Sequence, residues 1–280
     1  MNRLDHARGA LLGLAVGDAI GTTVEFKPRG SFVPLTDMVG GGHFALLPCQ
    51  WTDDTSMALC LGYSLIETGF DLDDQMARYL RWRDKGYMSS NGRCFYIGHA
   101  TNDAIGRYRQ TGNPLSGSTD PQSAGKGSIM RLAPVPLYYM DNPDEAMAKS
   151  EEQSKTTHQA PECLQACRLL AQALVKALQG APKNEVLKFT TTQPLSIGMS
   201  RIAQGNYTSK TIDHILTAQV MLSKASKPPC GAFGRQPIFG IVSCKPPIWG
   251  MMQIPPQPWQ GNWLGRFMGW GVFLSLGWEY

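Results

Sequence analysis

The sequence predicts an all-α fold for most of its length. Apolar residues recur at helical spacing in successive segments, Gly and Pro mark the joints between them, and strand-like alternation is almost absent. These three features hold from residue 1 to about residue 217. LDHARGALLGLAVGDAIG carries the first helix, with Ala7, Leu11, Leu14 and Ala15 on one stripe. Gly13, Gly17 and Gly21 lie four apart, so that another backbone can approach closely. DDTSMALCLGYSLIETG repeats the pattern, with Met57, Leu61, Ser64 and Leu65 near one face and Gly69 as its stop. Asp71 to Trp82 opens acidic and closes basic, as the helix dipole favours. PECLQACRLLAQALVKALQGAP is the clearest helix. Pro161 stands near its start, Leu164, Cys167, Leu170, Leu174 and Leu178 form the stripe, and Gly180 and Pro182 lie beyond its end.

After residue 217 the character changes. Residues 218–280 hold eight of the 19 prolines and five of the seven tryptophans, but a single acidic residue, Glu279. KPPCGAF, CKPPIWG and IPPQPWQGNW suit neither helix nor regular strand. The chain therefore divides into a helical unit, 1–217, and an irregular Pro/Trp-rich tail, 218–280, expected to be poorly ordered.

Composition narrows the class of function. An apolar share of 42% and a charged share of 17% are those of a globular protein, and 280 residues can bury a substantial core. The net charge of +4 comes without a dense Lys/Arg tract, which argues against nucleic acid as a partner. The seven cysteines are scattered, and Cys163 and Cys167 have neither a second Cys pair nor a nearby His to complete a zinc set. They read as reduced thiols. The apolar run near the N-terminus is broken by Gly and by Asp18 and does not read as a signal peptide. No apolar run reaches the ~20 residues that a membrane span needs. The expected location is cytoplasmic.

Four segments carry chemistry. In CQWTDDTSMAL, Thr52, Asp53 and Asp54 precede a helical run. Thr52 and the two carboxylates read either as a helix cap or as half of a hard-cation site, since Mg²⁺ takes oxygen ligands and needs one or two carboxylates. In GLAVGDAIGTTVEF, Asp18 reads as a hydrogen-bonded helix residue. Glu25 follows amid small and β-branched residues, where a half-buried carboxylate is able to act as a general base or to face an oxocarbenium ion. In SAGKGSIMRLAPVPL, Gly125, Gly127 and Ser128 open an apolar run. This is either an ordinary loop or a helix N-terminus offering N–H groups to phosphate. Arg131 reads as a buried structural charge and Lys126 as a solvated one. His158, in THQAP, reads as a capping or exposed histidine, and Phe95 and Tyr96 either stack a base or pack.

Taken in order, GALLGLAVGDAIGTTVEF, WTDDTSMAL, GRCFYIGHAT, GKGSIMRLAPVPLYY, THQAPECLQAC and IAQGNY resemble the ADP-ribosylglycohydrolase family, including the dinitrogenase reductase-activating glycohydrolases and the ADP-ribosyl-acceptor hydrolases. The resemblance covers about three quarters of the chain, to about residue 217. It implies a single compact multi-helix domain around a binuclear cleft for two Mg²⁺ ions, with Mn²⁺ as the alternative. Thr52, Asp53 and Asp54 then match metal ligands, and Glu25 matches the acidic catalytic residue over the metals. Gly125, Gly127 and Ser128 match the loop that meets the diphosphate, and His158 matches a cleft residue near the ligand. Lys126 departs from the pattern, where the family more often has Asn. The implied reaction is hydrolysis of the glycosidic bond joining ADP-ribose to an acceptor, either a protein side chain or a small molecule.

The family pattern also has a C-terminal Asp-Asp-Ala-Asp-Thr segment that completes the metal site. This chain has no Asp after Asp213. Reading the third base of each codon with the first two of the next supplies an explanation. In that frame GMMQIPP, Gly250 to Pro256, is compatible with Asp-Asp-Ala-Asp-Thr-Thr, its second and third residues being forced by the two Met codons. AQVMLSKASKPPCGAF and QGNWLGRFMG become helix-compatible in the same frame. The sequence thus predicts one frame change near Thr217–Ala218, a tail that cannot complete the metal site, and impaired hydrolysis. The competing readings are an inactive ADP-ribose-binding module with a Pro/Trp-rich interaction tail, and a Mg²⁺ hydrolase of phosphate esters.

Overall fold

The computed structural model describes residues 3–28, 31–33 and 35–204. The tail 218–280, with the segment compatible with Asp-Asp-Ala-Asp-Thr, lies outside the described residues, as does the second half of IAQGNY. Within them the fold is all-α. No strand is present there, only the isolated bridges Gly41 to Leu46 and Ser118 to His158. No helix among the described residues is long and apolar enough to cross a membrane.

The helices are α1 (Arg3–Gly21), α2 (Asp53–Thr68), α3 (Leu72–Lys85), α4 (His99–Thr111), α5 (Pro134–Tyr138), α6 (Pro143–Ser154), α7 (Pro161–Leu178), α8 (Lys183–Val186) and α9 (Ile197–Ala203). In α2 the predicted stripe is the buried one, since Met57, Leu61, Ser64 and Leu65 are all inaccessible. The helix stops at Gly69, whose φ of 75° suits a residue without Cβ. Helix α3 runs a turn beyond Trp82 to Lys85. The Asp71 side chain accepts from the amides of Asp73 and Asp74 at its start, and Gly86 ends it in the left-handed region. Met57 and Cys60 of α2, Met76, Tyr79 and Trp82 of α3, Ile105 of α4 and Met130 form one buried cluster. Burying an aromatic side chain of this kind is worth about 1.5–3 kcal/mol, so this cluster anchors α2 and α3 together.

Two packing expectations are corrected. In α1 only Ala7 of the predicted stripe is buried, and the other buried residues are Ala19 and Ile20. A Cβ placed on Gly13, Gly17 or Gly21 would meet nothing within 4 Å among the described residues. Their spacing therefore does not mark a close crossing there. The reason is that, among the described residues, α1 engages α2 and α7 through a narrow part of its surface. Helix α7 packs against α1, α5, α6, α8 and α9. With partners on so many sides its buried set is Cys163, Ala166, Cys167, Leu169, Ala171, Gln172, Ala173, Val175 and Leu178, much broader than one stripe. Leu164, Leu170 and Leu174 are only partly covered. A third correction concerns the run after Ser128. Lys126–Ser128 is a single 3-10 turn, and the next α-helix begins only at Pro134 and lasts five residues. Pro134 and Pro136 lack the N–H that a longer helix needs, and each restricts the residue before it.

Candidate active site

The start of α2 is built by a residue from another helix. Thr52 occupies the N-cap position, but its side chain makes no capping bond. Asp18 of α1 does so in its place. Its Oδ2 accepts from the Thr52 amide at 3.0 Å, the Thr55 amide at 3.1 Å and the Thr55 hydroxyl at 2.7 Å, while its Oδ1 accepts from the Thr52 hydroxyl at 2.6 Å. The carboxylate satisfies two of the free amides of α2 and sits at the positive end of its dipole. Thr52 is the N-cap residue as the sequence suggests, but the capping carboxylate is Asp18 from outside rather than a side chain of Thr52, Asp53 or Asp54. Asp53 and Asp54 are released from that task.

Asp53 is buried, only 3% exposed, and its Oδ1 has no hydrogen-bond partner among the described residues. Asp54 is more open and receives the Lys126 ammonium on Oδ1 at 3.2 Å. Burial raises the pKa of Asp53 well above its usual value, and the Asp54 charge adds to this while Lys126 opposes it. Burial and the Asp54 charge likewise raise Asp18, against the hydrogen bonds from Thr52 and Thr55.

Glu25 follows a 3-10 turn, Thr22–Val24, and is half-buried. Its Oε1 accepts from the Tyr96 hydroxyl. Burial raises its pKa, opposed by that hydrogen bond and by Lys126. The same burial and the same Glu25 contact raise Tyr96. The Tyr96 ring packs at 4.6 Å from Phe44 and 6.0 Å from Phe26, and Phe95 lies 5.9 Å from Phe44. Phe95 and Tyr96 thus belong to an aromatic wall beside Glu25. The Lys126 ammonium stands 5.5 Å from the Tyr96 ring centre. Lys126 is accordingly not the solvated lysine that the sequence suggests. Burial alone would depress it, but the Asp54 and Asp53 charges outweigh that effect and its pKa is raised.

The facing loop is held from behind. Arg131 is fully buried and donates to the Gly127 carbonyl at 2.9 Å, to the Gln153 Oε1 at 3.0 Å and carbonyl at 3.2 Å, and to the Thr156 hydroxyl at 2.9 Å. His158 is buried as well, which corrects the capping or exposed reading. Its Nδ1 lies 2.9 Å from the Thr157 hydroxyl. Its ring presses on the loop so closely that a Cβ on Gly127 would stand 2.5 Å from Cε1, and one on Gly125 3.3 Å from Nε2. Burial, with the Arg131 charge behind it, lowers the His158 pKa to about 3. Ser128 is turned inward, its hydroxyl 3.4 Å from the Cys167 thiol. Since the loop leads into a single 3-10 turn, it has no helix N-terminus to offer to phosphate.

The structure therefore brings Thr52, Asp53, Asp54, Glu25 and the Gly125–Ser128 loop together, with His158 under the loop. Sequence reasoning left Thr55 and the Asp18 cap unassigned and gave Tyr96 no partner. The one available signal was Thr52-x-x-Thr55, a three-residue spacing at a helix start. For a pair of divalent cations the fit is incomplete. The donors are hard oxygens and one buried carboxylate oxygen lacks a partner, which suits such an ion. Yet the described residues contain no group of three or more His, Cys, Asp or Glu arranged to hold a metal, and Asp54 already has an ammonium on it. One wall of the site is present among them.

Fold and site together define a helical protein with an acidic cluster at the start of one helix, faced by a glycine loop. The chain belongs to the ADP-ribosylglycohydrolase family, whose model matches residues 1–242. It is 42% identical over 213 residues to ADP-ribosylarginine hydrolase Tri1 of Serratia proteamaculans, covering 76% of this chain and 58% of that protein. It is 35% identical over 184 residues to the ADP-ribosyl-[dinitrogen reductase] glycohydrolase of Rhodospirillum rubrum, covering 63% of this chain and 59% of that one. A solved structure described as an ADP-ribosylglycohydrolase-related protein complex superposes with a TM-score of 0.64 at 43% identity, covering 73% of this chain and 68% of that chain. The chain spans less than two thirds of the length of these two curated relatives.

Proposed function

We propose that this chain carries the ADP-ribose-facing half of an ADP-ribosylglycohydrolase, and that its ability to cleave the bond between ADP-ribose and an acceptor is impaired. The observation that carries the reading is the Lys126–Asp54 contact, which joins the acidic start of α2 to the glycine loop across 72 residues of sequence. Two segments singled out separately for ribose-side and diphosphate-side chemistry thus face one another. Glu25, held by Tyr96, supplies a carboxylate beside them. The preferred acceptor is an ADP-ribosylated arginine, by likeness to the relatives named for that substrate.

The donor count supports the impairment. Residues 218–280 contain no Asp and a single acidic residue, Glu279, which supports a shortage of the opposing carboxylates. Mg²⁺-dependent turnover belongs to the completed site. The proposed cause is the frame change near residue 217, and sequencing the gene there tests it, because an unshifted frame without Asp-Asp-Ala-Asp codons nearby removes that cause. The functional test measures ADP-ribose release from an ADP-ribosylated arginine peptide in MgCl₂. It compares the 280-residue chain with the version read in the alternative frame after residue 217. Only the second is expected to turn over. Full activity of the 280-residue chain would overturn impairment, and inactivity of both would overturn the hydrolase reading. Calorimetry with ADP-ribose separates a remnant enzyme from a binding module, since metal-independent binding by the 280-residue chain favours the module.

A further inference from the structure

The incomplete fit to a two-cation site has a specific chemical form. Asp53 is buried with an oxygen lacking a partner, Asp54 lies beside it, and Asp18 and Glu25 add further negative charge. Neighbouring like charges are relieved by a cation or by a proton. The loop supplies a cation from the chain itself. Arg131 fixes the Gly127 carbonyl and His158 underlies Gly125 and Gly127, so the backbone that bears Lys126 has little freedom. From that backbone the ammonium reaches Asp54 Oδ1 at 3.2 Å while resting against the Tyr96 ring. It has three donors to spend and carries its charge at no cost in association entropy.

We propose that Lys126 is a tethered cation that takes the place of a divalent ion on Asp54, so that this acidic cluster closes on its own chain. The inference rests on the reading of Thr52, Asp53 and Asp54 as the metal-facing wall. An ion approaching Asp54 must displace the ammonium or accept its repulsion, and either lowers divalent affinity. A neutral side chain at 126 would leave Asp54 open to the ion and the buried pair dependent on it.

The test titrates Mn²⁺ into the full 280-residue chain and its K126M and K126Q variants, by calorimetry and by thermal unfolding. Mn²⁺ is expected to leave the melting temperature of the wild type unchanged and to raise that of both variants. Affinity for the ion is expected to increase by at least about tenfold on substitution, a difference of about 1.4 kcal/mol. Adding D54N to K126M is expected to abolish the gain, which places the ion on Asp54. Wild-type binding as tight as that of the variants, or a gain that survives D54N, overturns the proposal. A measurement without substitution guards against misfolded variants. Acetylation of Lys126, followed by mass spectrometry, is expected to be slower than that of the exposed lysines, and a rate equal to theirs would show that the ammonium is not held on Asp54 and overturn the proposal. These readouts involve no ADP-ribose, so the failure of this inference and of the function reading are separately visible.

Discussion

Replacing Asp18 by Ala removes the outside cap of α2, and its cost follows from four hydrogen bonds. Loss of a cap costs about 1–2 kcal/mol, here for the amides of Thr52 and Thr55. The two threonine hydroxyls lose acceptors worth about 1 kcal/mol each. Against this, Ala relieves the burial of a carboxylate and its repulsion with Asp54, both of which raise the Asp18 pKa. A relief of about 1 kcal/mol leaves a net loss of about 2–3 kcal/mol. In a chain of this size that lowers the melting temperature by roughly 4–12 °C. Asp18→Asn is the sharper control. Its amide oxygen, placed where Oδ2 now lies, keeps three of the four bonds, and the Thr52 hydroxyl has only to turn and accept from the new NH₂. D18N is expected to stay within about 1 kcal/mol of wild type. Urea unfolding followed by circular dichroism at 222 nm measures both. The reasoning is refuted if D18A is as stable as wild type, or if D18N is as damaging as D18A.

The glycine loop and its histidine supply two further expectations. Gly127→Ala places a Cβ 2.5 Å from His158 Cε1 and 2.7 Å from the Thr101 hydroxyl, and overpacking of this kind costs about 1–3 kcal/mol. Gly125→Ala, with its nearest contact at 3.3 Å, is expected to cost less, and the reverse order in the same unfolding assay would contradict the packing described. His158 is held neutral in the fold, with its pKa lowered to about 3 from 6.5. The unfolded chain therefore takes up a proton below pH 6.5 that the native state refuses, so stability is full above about pH 6.5 and falls as pH drops through the window down to about 3. Between pH 6.5 and pH 5 the wild type should lose about 1.6 kcal/mol relative to His158→Gln, the slope rising from half of about 1.36 kcal/mol per pH unit at pH 6.5 to nearly all of it at pH 5. A difference between the two proteins that stays flat over that range would show that His158 is not buried neutral.

The helical class and the α2 stripe were legible in the sequence because both depend on spacing along one segment. Met57, Leu61, Ser64 and Leu65 face the core wherever that core lies, since 3.6 residues per turn fixes their common direction. The α7 stripe was only partly legible. A helix with partners on several sides buries residues according to its neighbours, so Leu164, Leu170 and Leu174 remain partly covered while Ala171 and Gln172 are enclosed. The glycines of α1 illustrate the converse. Their four-residue spacing permits a close crossing, but permission does not place a partner there.

The candidate site divides in the same way. Sequence alone determined which residue types were available for chemistry: a hydroxyl and two carboxylates at a helix start, a glutamate after α1, a glycine loop and a histidine before α7. It also determined that no Asp follows Asp213. Tertiary structure decided which partner each group received. Asp18 caps α2 from 34 residues away, Lys126 reaches Asp54, Tyr96 donates to Glu25, and His158 lies under the loop rather than in solvent. A side chain's charge state and role are set by what surrounds it within a few ångströms, and those neighbours come from segments whose separation in sequence carries no record of their contact.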